Sequence, residues 1–592
     1  MGSPPISSLP NELLLEVFRE VMIFPDPFWR LDYTKLDELW ARKPYIRIVT
    51  LTHVCRRWRA IGLHAPEFWT TVDANRSLDC YNAFLERSRS RPLTVNMAGW
   101  IRPGGMDPEL LLLEVPRCRS LSIDHGTSYS EKLFADPSLW HQCAQVLDSL
   151  TLWYYNPGDT PDRSPSPFDL ELSSLKSLSL HQWGHESLAD VRCPQLTKLV
   201  VSNGLDFPWT EWLEYLRNFP LLQVLDLSCV VHPEPLIMSI SNTLPDAIVH
   251  LPHLSSLSLV DSQPGPDDDG LFEAHDWLGE LALFNHLEIP SHTALDFSIP
   301  HTETIPHIFE TIGARITRPF FRGRYSLHAP AIIAICYRKN FLDISVWDTM
   351  PIPATICWQW QRCRSHPPPP SLKLHCSLDR FGPRTQFFGH VTEFLSKAYP
   401  LHMVETLVFA AVPESRESTP QVVNAFKGIL QKMVNVRTLY LEGHHVAELL
   451  KSVLSQPEAL RSDGEPAPEE ATRGNFPPFP FLKIIGLEQS STVEYIISPY
   501  QQRYKIPVPT ISQIVDVLQE CKSNTDRCVD IVHICVKWGR RLPYKGDCGG
   551  ACFRTTDLLR PKLLPLLGSD TFSILDRHLR SELGQDDDAV RS

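Results

Sequence analysis

The sequence predicts an α/β chain in which a small N-terminal helical module leads into a long, irregular stack of short strands. Three observations carry that expectation. Apolar residues recur at helical spacing over 10–24 and again over 48–61. Beyond residue 115 a short apolar pattern returns again and again at intervals of a few tens of residues. Proline is abundant and glycine scarce, 52 against 27 in 592 residues, where average shares are about 5% and 7%. Such a balance gives many short elements that stop sharply.

Length and charge narrow the classes. A chain of 592 residues can hold several cores or one long array of repeats. The 56 basic and 69 acidic residues leave a net charge of −13, which argues against a general nucleic-acid binder, since that needs a basic face to release counterions. The longest apolar stretch, Ala329 to Cys336, is broken by Pro330 and falls far short of the ~18 residues that span a bilayer. The first residues lack the basic and apolar regions of a signal peptide, so neither a membrane nor a nucleic-acid partner is expected, and the location expected is cytoplasmic or nuclear. The 15 scattered cysteines are expected as reduced thiols in cores.

The first element is a helix from Pro10 to about Phe24. Pro10 suits a first helical position, and Glu12 can reach back to free amides. Leu13, Leu14, Val17, Phe18 and Val21 form a wide apolar stripe, and Pro25 and Pro27 end it. A loop-like insert covers 26–44. A second periodic run follows with Ile48, Leu51, Val54, Cys55, Trp58 and Ile61, stopped by Pro66, with Phe68 and Trp69 just beyond.

These residues resemble an F-box. Leu9-Pro10-x-Glu12-Leu13-Leu14-x-x-Val17-Phe18 opens it, and Val54-Cys55-Arg56-Arg57-Trp58-Arg59 with Pro66-x-x-Trp69 closes it. The resemblance covers 9–24 and 45–72, with the 26–44 insert as its departure; such inserts occur in the large fungal F-box families, which this chain resembles. It implies a three-helix module over residues 1–75 that docks on the Skp-type adaptor of an SCF-type cullin-RING ubiquitin ligase. Five apolar residues on one short helix exceed what a ~50-residue bundle buries internally, which leaves surface for a helix-in-groove interface. The expected adaptor contacts are Leu9, Pro10, Leu14, Val17, Phe18, Cys55, Trp58 and Trp69.

After a connecting segment, 76–115, the apolar-x-x-apolar-x-apolar core appears at Cys118, Leu147, Leu175, Leu196, Leu222, Leu254 and Phe284, and again at Val404, Val436 and Leu482. First positions lie 29, 28, 21, 26, 32 and 30 residues apart in the first series. This is similar to leucine-rich repeats, whose period is about 20–29 residues. The Asn or Cys usual eight positions on is absent, with Gly126, Tyr155, Trp183 and Gly204 in those slots. The expectation is therefore an irregular leucine-rich-repeat-like solenoid over 116–300 and 401–500, with a helix at Trp209 to Phe219. Residues 301–400 fit poorly and hold a polyproline loop, His366 to Ser371. A mobile loop is expected at 461–478, a C-terminal helical cap over 501–580 with its helical run from Ile511 to about Trp538, and an acidic tail at 581–592.

Chemistry finds little support. Gly546-Asp547-Cys548-Gly549-Gly550 resembles a protease nucleophile loop, but a nucleophile needs a base and an orienting acid, so a Gly-rich turn is the plainer reading. Cys521, Cys528 and Cys535 share a helical spacing that separates their sulfurs by ~10 Å, too far for one zinc site. Asp267 to Gly270 lacks alternating calcium ligands. No catalytic residue, metal or cofactor is expected. The protein is expected to act as a substrate-recognition adaptor, with an unknown target held on residues between the repeat leucines: Lys176, Lys198, Gln223, Asp226, Arg437 and Tyr440. The alternatives are a non-ligase interaction scaffold and, least favoured, a cysteine hydrolase using Cys548.

Overall fold

The computed structural model describes residues 6–23, 44–73, 77–97, 112–124, 136–153, 172–182, 192–202, 207–228, 231–232, 248–260, 278–299, 305–317, 331–338, 341–347, 370–377, 384–411, 429–430, 432–443, 484–490 and 531–537. They are mixed α/β, dominated by mostly parallel sheet. The chain divides into two units, Met1–Ser262 with Leu278–Thr293, and Gln263–Trp277 with Ala294–Ser592. Among the described residues no helix is long and apolar enough to cross a membrane.

The first unit opens with three helices, α1 (Asn11–Ile23), α2 (Pro44–Val54) and α3 (Arg56–His64). The periodic run over 48–61 is divided between α2 and α3 at Cys55. Cys55 is extended at φ −158° and caps α3, its Sγ accepting from the Trp58 amide at 3.4 Å. Leu14, Phe18, Ile48, Leu51, Trp58, Phe68 and Trp69 fill the core. Phe18 meets Trp58 and Phe68 at ring-centroid separations of 5.0 and 6.0 Å.

The end of α3 explains the Pro-x-x-Trp spacing. The Gly62 carbonyl would ordinarily accept from the amide four residues on, but that residue is Pro66, which has none. Trp69, on the 3-10 turn Pro66–Trp69, supplies the missing donor: its indole N–H reaches the Gly62 carbonyl at 2.8 Å inside the core.

The sheet begins earlier than the repeat pattern suggests. β1 (Thr71–Asp73) pairs in parallel with β2 (Leu93–Met97) across α4 (Leu78–Ser88), so the segment taken as a connector already contains a strand. Parallel strands then follow in chain order: β3 (Cys118–Asp124), β4 (Ser149–Trp153), β5 (Ser177–His181), β6 (Lys198–Ser202), β8 (Val224–Ser228) and β11 (Ser256–Val260). Register places Leu121, Leu150, Leu178, Leu199, Leu225 and Leu257 in one line across them. All six are buried, as are the first positions Cys118, Leu147, Leu175, Leu196, Leu222 and Leu254. Alternation along each strand sends the leucines to one side and the residues between them to the other. Helices α5 (Pro137–Cys143), α6 (Trp209–Leu216) and α7 (Leu278–Asn285) also belong to this unit, and α6 buries Trp209, Trp212, Leu213 and Leu216 as its spacing predicts.

Strand entry has its own repeating geometry. Two successive amides share one carbonyl of the preceding strand's entry residue: Lys176 and Ser177 on Asp148, Thr197 and Lys198 on Lys176, Gln223 and Val224 on Thr197, and Ser255 and Ser256 on Gln223. The core at Phe284 departs from the series. Its strand β12 (Leu287–Glu288) pairs with β10 (Val249–His250) as a separate ribbon, like β7 (Phe207–Pro208) with β9 (Val231–His232). At two residues each, these strands are too short to form further sheet rungs.

The second unit contains β13 (Ala294–Ile299), β14 (Ile332–Arg338), β15 (Phe341–Trp347), β16 (Leu372–Ser377), β17 (Thr406–Ala411), β18 (Thr438–Gly443), β19 (Ile484–Ser490) and β20 (Ile531–Lys537), ordered β13-β16-β15-β14-β17-β18-β19-β20. β15 runs antiparallel to both neighbours. Residues 301–400, which fit the repeat pattern poorly, thus supply three strands from β-branched and aromatic residues rather than leucine cores. Helices α8 (Ile305–Thr317) and α9 (Arg384–Ala398) pack through Phe309 and Phe394, stacked at 5.2 Å.

One expectation is overturned here. Part of the helical run from Ile511, residues 531–537, is strand β20, parallel to β19 with Cys535 opposite Glu488. Ile-Val-His-Ile-Cys-Val is a β-branched alternation, and pairing with β19 outweighs the seven-residue cysteine spacing. Cys521, Cys528 and Cys548, Asp267 to Gly270, most of the 26–44 insert and of the polyproline loop, and the segments 461–478 and 581–592 lie outside the described residues.

Candidate interaction surfaces

The N-terminal helices carry two adjacent apolar stripes on α1. Leu14 and Phe18 point inward and are fully buried. Leu13, Val17 and Val21 follow the neighbouring line at i, i+4 and i+8, with Leu13 50% and Val21 37% exposed and Val17 half-buried. Pro10 continues that line outward and is exposed.

Arg57 ties the start of α3 to the start of α1. Its guanidinium donates to the Leu9 carbonyl at 2.5 Å and to Asn11 Oδ1 at 2.7 Å. This brings exposed Val54, at 57%, and exposed Cys55 to the Pro10 end of α1. Arg19 pairs with Glu16 and, at 3.2 Å, with Glu67, tying α1 to the 3-10 turn.

The eight residues expected at an adaptor interface therefore separate. Leu14, Phe18, Trp58 and Trp69 are core. Pro10 and Cys55 are exposed, and Leu9 and Val17 are half-buried. Leu13, Val21 and Val54 complete the outward apolar surface and were not among the expected contacts. The periodicity contained them, but two neighbouring stripes on one helix do not say which faces inward.

The second surface is the side of β3 to β8 that carries the residues between the leucines. Lys176, Lys198 and Gln223 are exposed at strand entry, and Asp226 is half-buried within β8. Arg119 Nε contacts Asp148 Oδ2 at 2.5 Å, and Lys176 Nζ contacts Asp148 Oδ1 at 3.1 Å. The Arg119 hydrogen bond, then that of Lys176, holds the Asp148 carboxyl below the usual carboxylate range.

At the strand exits, the rings of Trp153 and His181 stack at 3.7 Å and 13°. His181 Nδ1 lies 2.6 Å from Ser202 Oγ, and the Gln182 amide donates to the Ser202 carbonyl at 2.8 Å, with Gln182 at φ 61°. Burial pushes the His181 imidazole down to about 4. This aromatic pair was not among the expected target-binding residues. Only register across β4 and β5 makes it one feature.

In the second unit Arg437 is exposed, whereas Tyr440 is 6% exposed and presents no open ring beside it. Lys373 pairs with Asp296 at 2.6 Å, and His375 pairs with Asp343. Among the described residues no group of three or more metal-ligating side chains comes together. Compared with known proteins, the chain matches no family model and no curated protein.

Proposed function

We propose that this protein is a substrate-recognition subunit of an SCF-type ubiquitin ligase, in which residues 1–75 act as an F-box on a Skp-type adaptor and the parallel strands, read as divergent leucine-rich repeats of a solenoid, hold a target protein. The observation that carries the reading is the second stripe of α1. The helical core is already filled by Leu14, Phe18, Trp58 and Trp69, yet Pro10, Leu13, Val17 and Val21 continue as an apolar line outside it, with Val54 and Cys55 at one end. Such a line supports helix-in-groove docking. The motif order in the sequence supports the identity of the groove, and through it a cullin. The protein supplies no chemistry of its own in this reading. It raises the effective concentration of the target at the ligase.

The test is co-expression with a Skp-type adaptor followed by size-exclusion chromatography. Leu13→Asp with Val21→Asp places charge on the two exposed positions of the outward stripe and leaves the buried core residues in place. A one-to-one complex that this variant loses, with helical content kept by circular dichroism, is the expected result. A folded wild-type protein that elutes without the adaptor refutes the proposal.

A further inference from the structure

The exposed side of β3 to β6 is built with two chemically different ends. At strand entry, Arg119 on β3 and Lys176 just before β5 pair with the carboxylate of Asp148, and exposed Lys198 stands on β6 opposite Ser177. Three cations against one anion leave a positive edge on a chain of net charge −13. Asp148 engages Arg119 through Nε and so leaves the outer guanidinium edge turned to solvent, the side chain being 65% exposed.

Between the ends lie Ser149, Thr151, Ser177 and Ser179, all half-buried and small. At strand exit stands the Trp153–His181 stack. Its imidazole is uncharged at neutral pH, so this end is an aromatic plate rather than a second cation. Among the described residues the Trp153 indole N–H has no acceptor, an uncommon state for a buried donor. The separation of the two ends is four residues of β5, Ser177 to His181, or about 13 Å at about 3.3 Å per residue.

We infer that this face binds an extended acidic peptide segment of the target, its carboxylates on Arg119, Lys176 and Lys198 and, about four residues along, an aromatic or apolar side chain against Trp153 and His181. The inference deepens the proposed function and rests on reading these strands as the target-binding surface. Charge complementarity selects an acidic partner. The small residues between the ends leave room for a peptide backbone.

The experiment uses full-length protein, with and without the adaptor, and three fluorescein-labelled hexapeptides, DDSGSF, KKSGSF and DDSGSS, read by fluorescence anisotropy. DDSGSF is expected to bind about tenfold more tightly than either control, a difference of about 1.4 kcal/mol. Its binding should weaken as salt is raised from about 0.05 to 0.5 M. Lys198→Glu, at an exposed site, is expected to weaken DDSGSF at least about fivefold and leave thermal melting unchanged. Trp153→Ala should reduce DDSGSF to the level of DDSGSS.

Equal binding of DDSGSF and KKSGSF overturns the inference. So does indifference to Lys198→Glu, no binding of DDSGSF up to about 1 mM, or displacement of the peptide by a single-stranded oligothymidine that binds more tightly. Adaptor co-elution is scored separately. Peptide preference without the adaptor complex removes the ligase reading alone, whereas the complex without peptide preference removes this inference alone.

Discussion

Replacing Gly62 by Ala tests the packing of the N-terminal module at its tightest point. In a free helix the change stabilises, because Ala exceeds Gly in helix propensity by about 1 kcal/mol. Here a Cβ at Gly62 would stand 2.9 Å from Thr52 Cγ2, 3.5 Å from Ile48 Cδ1 and 3.8 Å from Phe18 Cε2. Thr52 cannot easily yield: it is buried, its hydroxyl donates to the Val49 carbonyl at 2.7 Å, and its methyl is attached directly to Cβ. Overpacking of this kind costs about 1–3 kcal/mol. Against the propensity gain, the net is a loss of about 1 kcal/mol, or about fivefold in a local opening equilibrium.

A chain of two units has no single unfolding free energy, so the assay is hydrogen exchange followed by mass spectrometry on peptides covering α1, α2 and α3. Gly62→Ala should exchange about fivefold faster there and unchanged elsewhere. Thr52→Ser removes the offending methyl and keeps the hydroxyl bond, so Gly62→Ala with Thr52→Ser should recover most of the protection. Slower exchange in the single variant, or no recovery in the double, would refute the close approach of α2 and α3.

Trp69→Phe keeps most of the ring but deletes the donor to Gly62. The carbonyl is then orphaned, at about 1–3 kcal/mol, and the same α3 peptides should lose roughly tenfold or more of their protection; unchanged exchange would show that the Pro66 gap is filled otherwise. His181 is held below its ordinary value, so the unfolded chain binds more protons than the folded one between pH 6.5 and about 4. Stability should therefore fall as pH drops through that window, and His181→Gln should flatten the trend; an imidazole proton signal of His181 titrating near 6.5 would contradict it. Burial pushes the Cys118 and Cys193 thiols up to about 12 and the Cys143 thiol to about 11. In a brief iodoacetamide pulse at pH 8, exposed Cys55 should be modified ahead of these three, which react only after denaturation. Early labelling of Cys143 or Cys193 would place them outside the core.

Much of the local structure was legible before the fold. The strand cores from Cys118 through Leu254, together with those at Val404, Val436 and Leu482, all became strands, because an apolar-x-x-apolar-x-apolar run fixes alternation on the scale of a single element. The α6 stripe was legible for the same reason, at helical spacing. The strands at 294–299, 332–338, 341–347 and 372–377 were not, since their β-branched runs carry no repeat signature and acquire meaning only through their neighbours in the sheet. The helix expected across 531–537 failed similarly, because a short run of valine, isoleucine and cysteine takes the conformation its partner strand offers.

For the candidate surfaces, the sequence by itself determined which residues are apolar and at what period. It determined that Pro66 must end α3 and that Lys176 and Lys198 stand outside the leucine lines. Only the tertiary structure decided that Leu14 and Phe18 turn inward and Leu13, Val17 and Val21 outward, because two stripes 100° apart on a helix are equivalent until another helix covers one of them. Only register across parallel strands set Trp153 on His181 and Asp148 between Arg119 and Lys176. These residues are about 20–30 apart in the chain, and spacing along the chain does not encode which strand lies beside which.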